Sequence, residues 1–383
     1  MNIVMTLMVR DEADIVAAML THHRAQGVDH VIVTDNASVD GTFDILREFE
    51  RDGFITLRSD PEHRKQQGRV VTAMAREAAT RFSADWVING DADEFLVPTT
   101  SGRTVREILA DVGDQVDVLH VPVVNLTGAP ARSGSGLRRL VLRDHRPEEE
   151  IRRAGIPFHP TPNAVHRGHP EVTVSQGNHQ ATAPGWHPPL LTTELEVLHL
   201  PWRSWTQYEY KVRVSGEAYE ANPDLAPSPR HHGMLDYRRL REGRLEEMYV
   251  GKHPTEAEAA EGLADGRFVL DERLAGLADH VDPVHDDVLY TAQDRDRRLR
   301  LGRAFRAVEF AGEAEADRIR QWHDLAIAQR DSAQEEVTEL RRQLEQVQSR
   351  RVVKIADRVG TWAHALRSGR SQGAHGGVDQ PSK

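Results

Sequence analysis

The sequence predicts an α/β fold with a mostly parallel β-sheet and a helical C-terminal extension. Three observations lead to this prediction: strand and helix signals alternate through residues 1–97, the strands are almost continuously apolar, and polar clusters directly follow several strands. Apolar strands separated by helices are typical of a parallel sheet that helices cover on both faces. Ligands of such sheets bind beyond the carboxyl ends of the strands, so the polar clusters are the candidate functional residues.

Each element of the alternating region has its own signal. The first strand is the run from Ile3 to Val9, and helical spacing of apolar residues follows over 12–26 and ends at Gly27. Further strands are predicted over residues 30–34, 54–57 and 86–88, and further helices from Asp40 to Phe49 and over 69–82.

The pattern changes in the second half of the chain. Residues 117–200 combine short strand signals with Gly, Pro and many His, and the chain becomes helical and charged from about residue 205. Strands are predicted over 116–124 and 137–143, and loops over 127–136 and 157–189. The predicted organisation is an α/β domain over 1–215, a helical extension and candidate acceptor region over 216–310, a coiled coil over 311–349, and a basic amphipathic segment with a disordered tail over 350–383.

The last part of the chain carries two interaction signals. Val337, Leu340, Leu344 and Val347 follow a 3-4-3 spacing, which predicts a short coiled coil and a homo-oligomer. Residues 350–370 combine an apolar stripe containing a Trp with five Arg residues and one Lys, a pattern typical of helices that contact a membrane surface. Packing of this stripe on the protein, or an extension of the coiled coil, is the alternative.

Composition excludes several classes of protein. A net charge of −11 argues against a general nucleic-acid binder, because such proteins need an excess of cations to neutralise phosphates. The absence of Cys excludes disulfides, thiolate metal sites and a Cys nucleophile. No run approaches the roughly 20 apolar residues that span a bilayer, so the chain is predicted to be cytoplasmic, with peripheral contact to the inner membrane face through its tail.

Two carboxylates follow the predicted fourth strand. Asp91 and Asp93 are two positions apart where the chain leaves the strand, so they can converge on one hard cation. Oxygen ligands suit Mg²⁺ or Mn²⁺, and such an ion can bridge a diphosphate and act as a Lewis acid. The alternative is a solvated turn.

A second polar cluster follows the predicted second strand, from Asp35 to Thr42. The Asp35 carboxylate can accept a hydrogen bond from a base N–H or a ribose hydroxyl, and the polar residues after it can cap the next helix. An ordinary capped turn is the alternative.

These segments together resemble the family 2 glycosyltransferases of GT-A fold, over about residues 1–215. The resemblance is carried by Arg10-Asp11-Glu12-Ala13, His22-His23, Asp35-Asn36-Ala37-Ser38-Val39-Asp40-Gly41-Thr42, Trp86-Val87-Ile88-Asn89-Gly90-Asp91-Ala92-Asp93-Glu94-Phe95-Leu96, His199-Leu200-Pro201-Trp202-Arg203-Ser204 and Lys211. It implies a metal-dependent transfer of a sugar from a nucleotide-diphosphate sugar donor to a glycan or other small acceptor. Residues 1–215 would then be the catalytic domain.

The resemblance also implies roles for single residues. Asp35 would bind the base or ribose, Asp91 the ribose or metal, and Asp93 the metal. His199 would be a third metal ligand, the alternative being a hydrogen-bonded His at the edge of the core. The predicted nucleotide-sugar contacts are Arg10, Glu12, Asp35, Asp91, Arg203 and Lys211, of which Arg203 and Lys211 would contact the diphosphate unless they lie on a solvated helix face.

An inverting mechanism is implied by the resemblance, and it requires an acidic catalytic base. No Glu-Asp pair follows the metal motif between residues 100 and 200, and the four acidic candidates are Asp144, Glu171, Glu194 and Glu196. Two other functions compete with the glycosyltransferase. A sugar-phosphate nucleotidyltransferase would carry a Gly-rich loop where Arg10–Ala13 stands, and a non-catalytic coiled-coil scaffold would not need Asp35, Asp91 and Asp93.

Overall fold

The computed structural model describes residues 1–61, 67–156, 161–220 and 232–368. The chain divides into two compact units, Met1–Glu309 and Phe310–Lys383. The first unit therefore covers both the predicted α/β domain and the predicted helical extension.

The strands are β1 (Ile3–Val9), β2 (His30–Asp35), β3 (Ile55–Ser59), β4 (Trp86–Gly90), β5 (Glu94–Pro98), β6 (Val118–Val121), β7 (Val123–Thr127), β8 (Ala131–Ser133), β9 (Leu142–Asp144), β10 (Asn163–Arg167), β11 (Thr173–Val174), β12 (Ala181–Thr182), β13 (Leu190–Leu191), β14 (Leu195–His199), β15 (Phe268–Leu270) and β16 (Val288–Leu289). The helices are α1 (Val16–Ala25), α2 (Thr42–Arg51), α3 (Gln67–Thr80), α4 (Val105–Asp111), α5 (Glu148–Arg153), α6 (Trp205–Glu220), α7 (His232–Arg241), α8 (Leu245–Lys252), α9 (Glu256–Asp265) and α10 (Ala292–Ser368). Short 3-10 turns cover Gln176–Asn178, Ala275–His280 and Pro283–His285.

The main sheet has the strand order β13-β6-β10-β4-β1-β2-β3. Strands β4, β1, β2 and β3 run parallel, and β10 is inserted antiparallel between β4 and β6. The predicted α/β class with a largely parallel sheet and a helical C-terminal part is thereby confirmed.

Both faces of this sheet are covered by helices, as the apolar strands require. Alternate residues of β1 point to opposite faces. Ile3, Met5 and Leu7 pack in the cluster that contains the buried residues of α1, and Val4 packs in the cluster that contains those of α3. The two cores explain why almost every residue of β1 is buried.

A second sheet, with the order β15-β9-β7-β14-β5, lies next in the topology. The chain passes between the sheets at Pro122, which separates β6 of the main sheet from β7 of the second sheet; proline has no N–H to donate to a ladder. It passes a second time through Asp91, Ala92 and Asp93, which connect β4 to β5. The predicted metal motif therefore lies at the junction of the two sheets.

The sequence prediction was wrong for four segments, of which one is the loop predicted over 127–136, where Ala131–Ser133 forms β8. The strand predicted over 116–124 is divided at Pro122. The strand predicted over 137–143 is reduced to β9, because residues 137–139 form a turn in which the N–H groups of Arg139 and Leu140 donate to the Gly136 carbonyl. The segment 157–189, predicted as loop, contributes β10 to the centre of the main sheet, and residues 157–160 lie outside the described part.

The helix α10 contains the segments predicted as coiled coil and as amphipathic helix. Its apolar side chains Val337, Leu340, Leu344 and Val347 are about half exposed, between 46% and 57%. In the part of the chain that the structure describes, no helix is long and apolar enough to cross a membrane. The predicted disordered tail begins within 350–383, and its residues after 368 lie outside the described part.

Candidate functional site

The loops after β1 and β2 are tied together by hydrogen bonds. The Asp11 N–H donates to Ser38 Oγ at 3.0 Å, and the Glu12 N–H donates to Thr42 Oγ1 at 2.8 Å. In return, Asp11 Oδ1 accepts from the N–H of Val39 at 2.7 Å. Arg10 donates to the Asn36 carbonyl at 3.2 Å. The two polar motifs therefore form one wall at the carboxyl edge of the sheet.

Asp35 ends β2 within this wall and is only 2% exposed. Its Oδ2 accepts from the N–H of Ser38 at 3.2 Å. Its Oδ1 is buried and has no hydrogen-bond partner among the described residues. Buried polar atoms in proteins are nearly always hydrogen-bonded, so this oxygen is an acceptor for which the described chain provides no donor.

Asp93 is the buried centre of the junction between the sheets, and it faces three basic side chains. Its Oδ2 lies 3.0 Å from Lys211 Nζ, 3.4 Å from Arg203 Nη1 and 3.8 Å from His199 Nε2. Burial by itself raises the pKa of a carboxyl group, but Lys211, His199 and Arg203 hold the pKa of Asp93 well below its usual range. Asp93 is therefore ionised.

Arg203 is completely buried, with 0% of its side chain exposed. Its guanidinium donates to both carboxylate oxygens of Asp14, at 2.7 and 2.9 Å, and it also pairs with Glu12 and Asp93. The fork geometry of Arg suits such two-point contacts with carboxylates. The structure thus places Arg203 beneath the acidic residues and not on a solvated helix face.

His199 ends β14, where it pairs with Glu94 of β5. Its Nδ1 lies 2.9 Å from Asn125 Oδ1, so the opposite ring nitrogen, Nε2, is directed toward Asp93. Burial lowers the pKa of an imidazole, but the hydrogen bond and charge of Asp93 raise the pKa of His199 above its usual value. Pairing between β5 and β14 therefore brings together two predicted metal ligands that are far apart in sequence.

Asp91 lies on the other side of the junction. Its Oδ1 accepts from Gln67 Nε2 at 2.7 Å and from Asn178 Nδ2 at 3.3 Å. Asn178 is 1% exposed, and its Oδ1 is a second buried acceptor without a partner among the described residues. Burial and the neighbouring Asp93 carboxylate raise the pKa of Asp91.

Glu94 follows the motif and is linked to the segment around Asn178. Its Oε2 accepts from Asn163 Nδ2 at 2.8 Å and from the Asp91 N–H at 3.2 Å. His179 Nδ1 lies 3.2 Å from Asn163 Oδ1. Burial, together with the Asp91 charge, raises the pKa of Glu94 to about 7. The strand β10 thus supports the metal motif through Asn163.

The His22-His23 pair of α1 fixes the strand that follows the motif. His22 Nε2 lies 2.8 Å from the Leu96 carbonyl oxygen, and the Leu96 N–H donates to His23 Nε2 at 3.3 Å. Burial lowers the pKa of His23 to about 3, so the ring is neutral and its nitrogen can accept. This pair holds the backbone of β5 and, through it, the position of Asp93.

The four acidic candidates for a catalytic base are not gathered with Asp93. Glu196 pairs with Arg143 at 2.7 Å and with Arg273 at 2.7 Å, and its odd separation from His199 on β14 directs it to the opposite face of the sheet. Asp144 pairs with Arg146 at 2.6 Å. Glu194 lies 3.9 Å from Arg103, and Glu171 is exposed.

The site contains several residues that the sequence motifs did not assign. They are Asp14, Gln67, Asn163, Asn178 and Tyr210, whose hydroxyl donates to Asp11. Asn163 and Asn178 come from the segment predicted as loop, and Gln67 precedes the predicted third helix. Only the polar turn Gly177-Asn178-His179 is a sequence signal for a pocket in this group.

A divalent cation is the cofactor predicted at Asp91, Asp93 and His199. Among the residues that the structure describes, no three His, Asp or Glu side chains are gathered as a metal site, since Asp93 faces Lys211 and Arg203. The donor types nevertheless fit Mn²⁺ or Mg²⁺. Three carboxyl groups here, Glu12, Asp91 and Glu94, have a pKa that burial raises, and a divalent ion beside them would favour their ionised form.

Comparisons with known proteins give a family match and distant structural likenesses. Residues 4–137 match the model of glycosyltransferase family 92. No curated protein matches the sequence significantly. A structure of S. aureus TarS 1-349 in complex with UDP is similar over 80% of this chain and 91% of its own, at 12% identity and a TM-score of 0.35. Glucosyl-3-phosphoglycerate synthase from Mycobacterium tuberculosis, in complex with Mn²⁺, UDP and phosphoglyceric acid, is similar over 32% of this chain and 43% of its own, at 17% identity and a TM-score of 0.22.

These likenesses differ in what they cover. Both structural similarities are too distant to assign a reaction. The family match is to family 92, and the resemblance to family 2 rests on the quoted motifs alone and stays a prediction. Over residues 4–137, which contain Asp35, Asp91 and Asp93 but not His199, the chain is similar to glycosyltransferase family 92.

Proposed function

We propose that this protein is a glycosyltransferase of GT-A type that moves a sugar from a nucleotide-diphosphate donor to a glycan or other small acceptor. The observation that carries the proposal is the junction of the two sheets beyond the carboxyl end of β4, where the buried Asp93 carboxylate faces His199 and Lys211. Asp35 ends β2, two strands from β4 in the same sheet, and one of its carboxylate oxygens has no hydrogen-bond partner among the described residues. Family 92 similarity over residues 4–137 supports the same class of reaction.

Donor recognition begins at Asp35. An unpaired buried acceptor costs about 1–3 kcal/mol, and a base N–H or ribose hydroxyl would remove that cost on binding. Arg10 and Asp11 belong to the hydrogen-bonded wall beside Asp35, so the proposal keeps Arg10 as a contact of the nucleotide-sugar donor. Glu12 is paired with Arg203, and its part in donor binding is to hold this wall.

The diphosphate would lie against the acidic junction. Asp91, Asp93 and His199 would hold Mn²⁺ or Mg²⁺, which when bound neutralises charge that develops on the departing nucleotide. Lys211 is half exposed and its ammonium already lies beside Asp93, so it can reach a phosphate oxygen. Arg203 has no exposed surface, and its role is to hold Glu12, Asp14 and Asp93 in place.

Inversion of the sugar configuration is part of the proposal. It needs a base on the acceptor side, and Asp144, Glu171, Glu194 and Glu196 remain the acidic candidates from sequence. Three of them pair with Arg side chains. Burial by itself raises the pKa of Glu196, but Arg143 and Arg273 lower it, which opposes proton uptake by that carboxylate. The anomeric configuration of the product, measured by NMR against that of the donor, tests inversion directly.

A thermal-shift screen of nucleotide-diphosphate sugars, with and without Mn²⁺, tests the proposed function. For the unaltered protein, we expect at least one nucleotide-diphosphate sugar to raise the unfolding temperature when Mn²⁺ is present. For Asp93→Asn we expect no such rise. Asp44→Asn, which removes an exposed carboxylate of α2, is the matched control and should keep the stabilisation. Equal stabilisation of Asp93→Asn and the parent, or none for the parent with any nucleotide, would contradict the proposal.

A further inference from the structure

The C-terminal part of α10 carries an apolar stripe that does not continue the predicted coiled-coil seam. Val352, Ile355, Val359 and Trp362 are exposed by 59–69%. At about 100° per residue they fall within an arc of about 80°. The step from Val347 to Val352 is five residues, which breaks the 3-4-3 spacing of the preceding stripe.

Charges beside the two stripes differ. In a parallel pair of helices, residues on the two sides of an apolar seam meet across the interface. Glu336 and Arg341 occupy these sides for the first stripe and have opposite signs. The second stripe has cations on one side and alanines on the other (Arg351, Arg358, Ala356, Ala363). A second copy of the chain would therefore gain no interhelical ion pair along the second stripe.

The cations beside the second stripe suit a different partner. Arg351, Lys354 and Arg358 fall within an arc of about 60° next to the apolar residues. Residues 350–364 contain four Arg or Lys residues and a single acidic residue, Asp357, although the net charge of the whole chain is −11. Long basic side chains beside an apolar stripe can extend toward phosphates while the stripe enters the acyl boundary. Trp362 has the amphipathic ring that is enriched at membrane interfaces.

We propose that residues 350–364 form a helix that lies on an anionic phospholipid surface, with Val352, Ile355, Val359 and Trp362 in the acyl boundary and Arg351, Lys354 and Arg358 on the headgroups. The segment belongs to the second compact unit, and the inference does not depend on the proposed reaction. It would place the catalytic unit next to a membrane, where an acceptor with a lipid anchor would be concentrated.

Co-sedimentation of the full chain with vesicles tests this inference. We expect binding to vesicles of phosphatidylcholine containing phosphatidylglycerol and little binding to phosphatidylcholine alone. Each basic residue near an anionic surface contributes about 1 kcal/mol, which is about fivefold in affinity, so Arg351→Gln, Lys354→Gln and Arg358→Gln together should weaken binding about a hundredfold. Trp362→Ala should weaken it as well, by removal of the interfacial ring.

The matched control is Arg318→Gln, Arg330→Gln and Arg342→Gln on the same helix. These three arginines pair with Glu315, Asp331 and Glu339. Their substitutions remove the same three positive charges from α10 and leave the second stripe unchanged. Circular dichroism checks that each variant stays helical. Equal loss of binding in both triple variants, binding that ignores lipid charge, or no vesicle binding together with a Trp362-dependent dimer would overturn the proposal.

Discussion

Asp93 is neutralised from two directions, and the two cations occupy different environments. Arg203 is completely buried, whereas half of the Lys211 side chain is exposed. A buried charge pair is costly to break, because removal of one partner leaves the other desolvated and unpaired. A partly exposed pair contributes much less, because water screens it. The same carboxylate therefore has one structural partner and one partner available to a ligand.

This difference gives the first prediction, for Arg203→Met and Lys211→Met. We expect Arg203→Met to lower the free energy of unfolding by about 3–5 kcal/mol, since Glu12, Asp14 and Asp93 lose their common partner. Lys211→Met should change it by less than about 1 kcal/mol but should reduce turnover of the nucleotide sugar. Urea unfolding and a turnover assay measure the two effects. Equal losses of stability in the two variants would contradict the prediction, because both cations would then contribute equally to the free energy of unfolding.

His166 gives a prediction about pH. It lies on β10 with no exposed surface, and burial lowers its pKa to about 4 from an ordinary value of 6.5. The unfolded chain therefore takes up the proton near pH 6.5 while the folded chain resists it. The contribution of the neutral imidazole to the free energy of unfolding is fully present above pH 6.5. It declines as the pH falls toward 4, by up to about 1.4 kcal/mol per pH unit.

Replacement of His166 by Phe removes this titration. As the pH falls from 6 to 4.5, the free energy of unfolding of the variant should rise by about 2 kcal/mol relative to that of the parent. Unfolding in urea at several pH values measures the difference, which cancels titrations common to both proteins. His280→Gln, at an exposed position, is the control and should show no such trend. A constant difference between the His166 variant and the parent across this range would refute the assignment.

At the scale of elements, α6 connects the site to the helical part of the first unit. It carries Lys211 and Tyr210 toward Asp93 and Asp11, and its Gly216 packs against Tyr237 of α7. A Cβ atom on Gly216 would lie 2.1 Å from the Tyr237 ring. The close approach of the two helices is therefore possible only with glycine at this position.

Gly216→Ala should accordingly destabilise the protein by about 1–3 kcal/mol, through displacement of α7 from α6. Gly312→Ala on α10 is the control, because a Cβ there meets no atom within 4 Å and alanine favours a helix. Thermal unfolding of both variants measures the effect. A Gly216→Ala protein as stable as the parent would mean that the two helices separate without cost.

The elements also show what the sequence can and cannot predict. The first four strands were predictable, because each contains a short apolar or β-branched run next to a helix with a clear period. The strand β10 was not, because Asn163-Ala164-Val165-His166-Arg167 contains only two apolar residues, and its burial depends on pairing with β4 and β6. Asp91 and Asp93 were predicted from their place after a strand. Only tertiary folding brings Asn178 to Asp91, Asn163 to Glu94 and Asp14 to Arg203.

At the scale of the whole molecule, the second compact unit presents apolar side chains on α10 that the described chain leaves about half exposed. Val337, Leu340, Leu344 and Val347 lie along one side of the helix. Most of the stability of helices in proteins comes from packing of an apolar face and not from propensity alone. We propose that these residues pair with the same stripe of a second copy, in parallel, so that Glu336 meets Arg341 of the other helix.

This gives the last prediction, for Leu340→Glu combined with Leu344→Glu. Charges at these positions would oppose one another across the seam, so the protein should change from a dimer to a monomer in sedimentation-equilibrium experiments. Thr338→Glu with Gln346→Glu adds the same charge outside the stripe and should leave the dimer intact. The seam has few layers, so dissociation of the parent should already be measurable at low protein concentration. Nucleotide-dependent stabilisation should persist in the monomer, because Asp35, Asp91 and Asp93 all belong to the first unit. A parent protein that is monomeric at every concentration, or a dimer that survives both glutamates, would exclude this stripe as the interface.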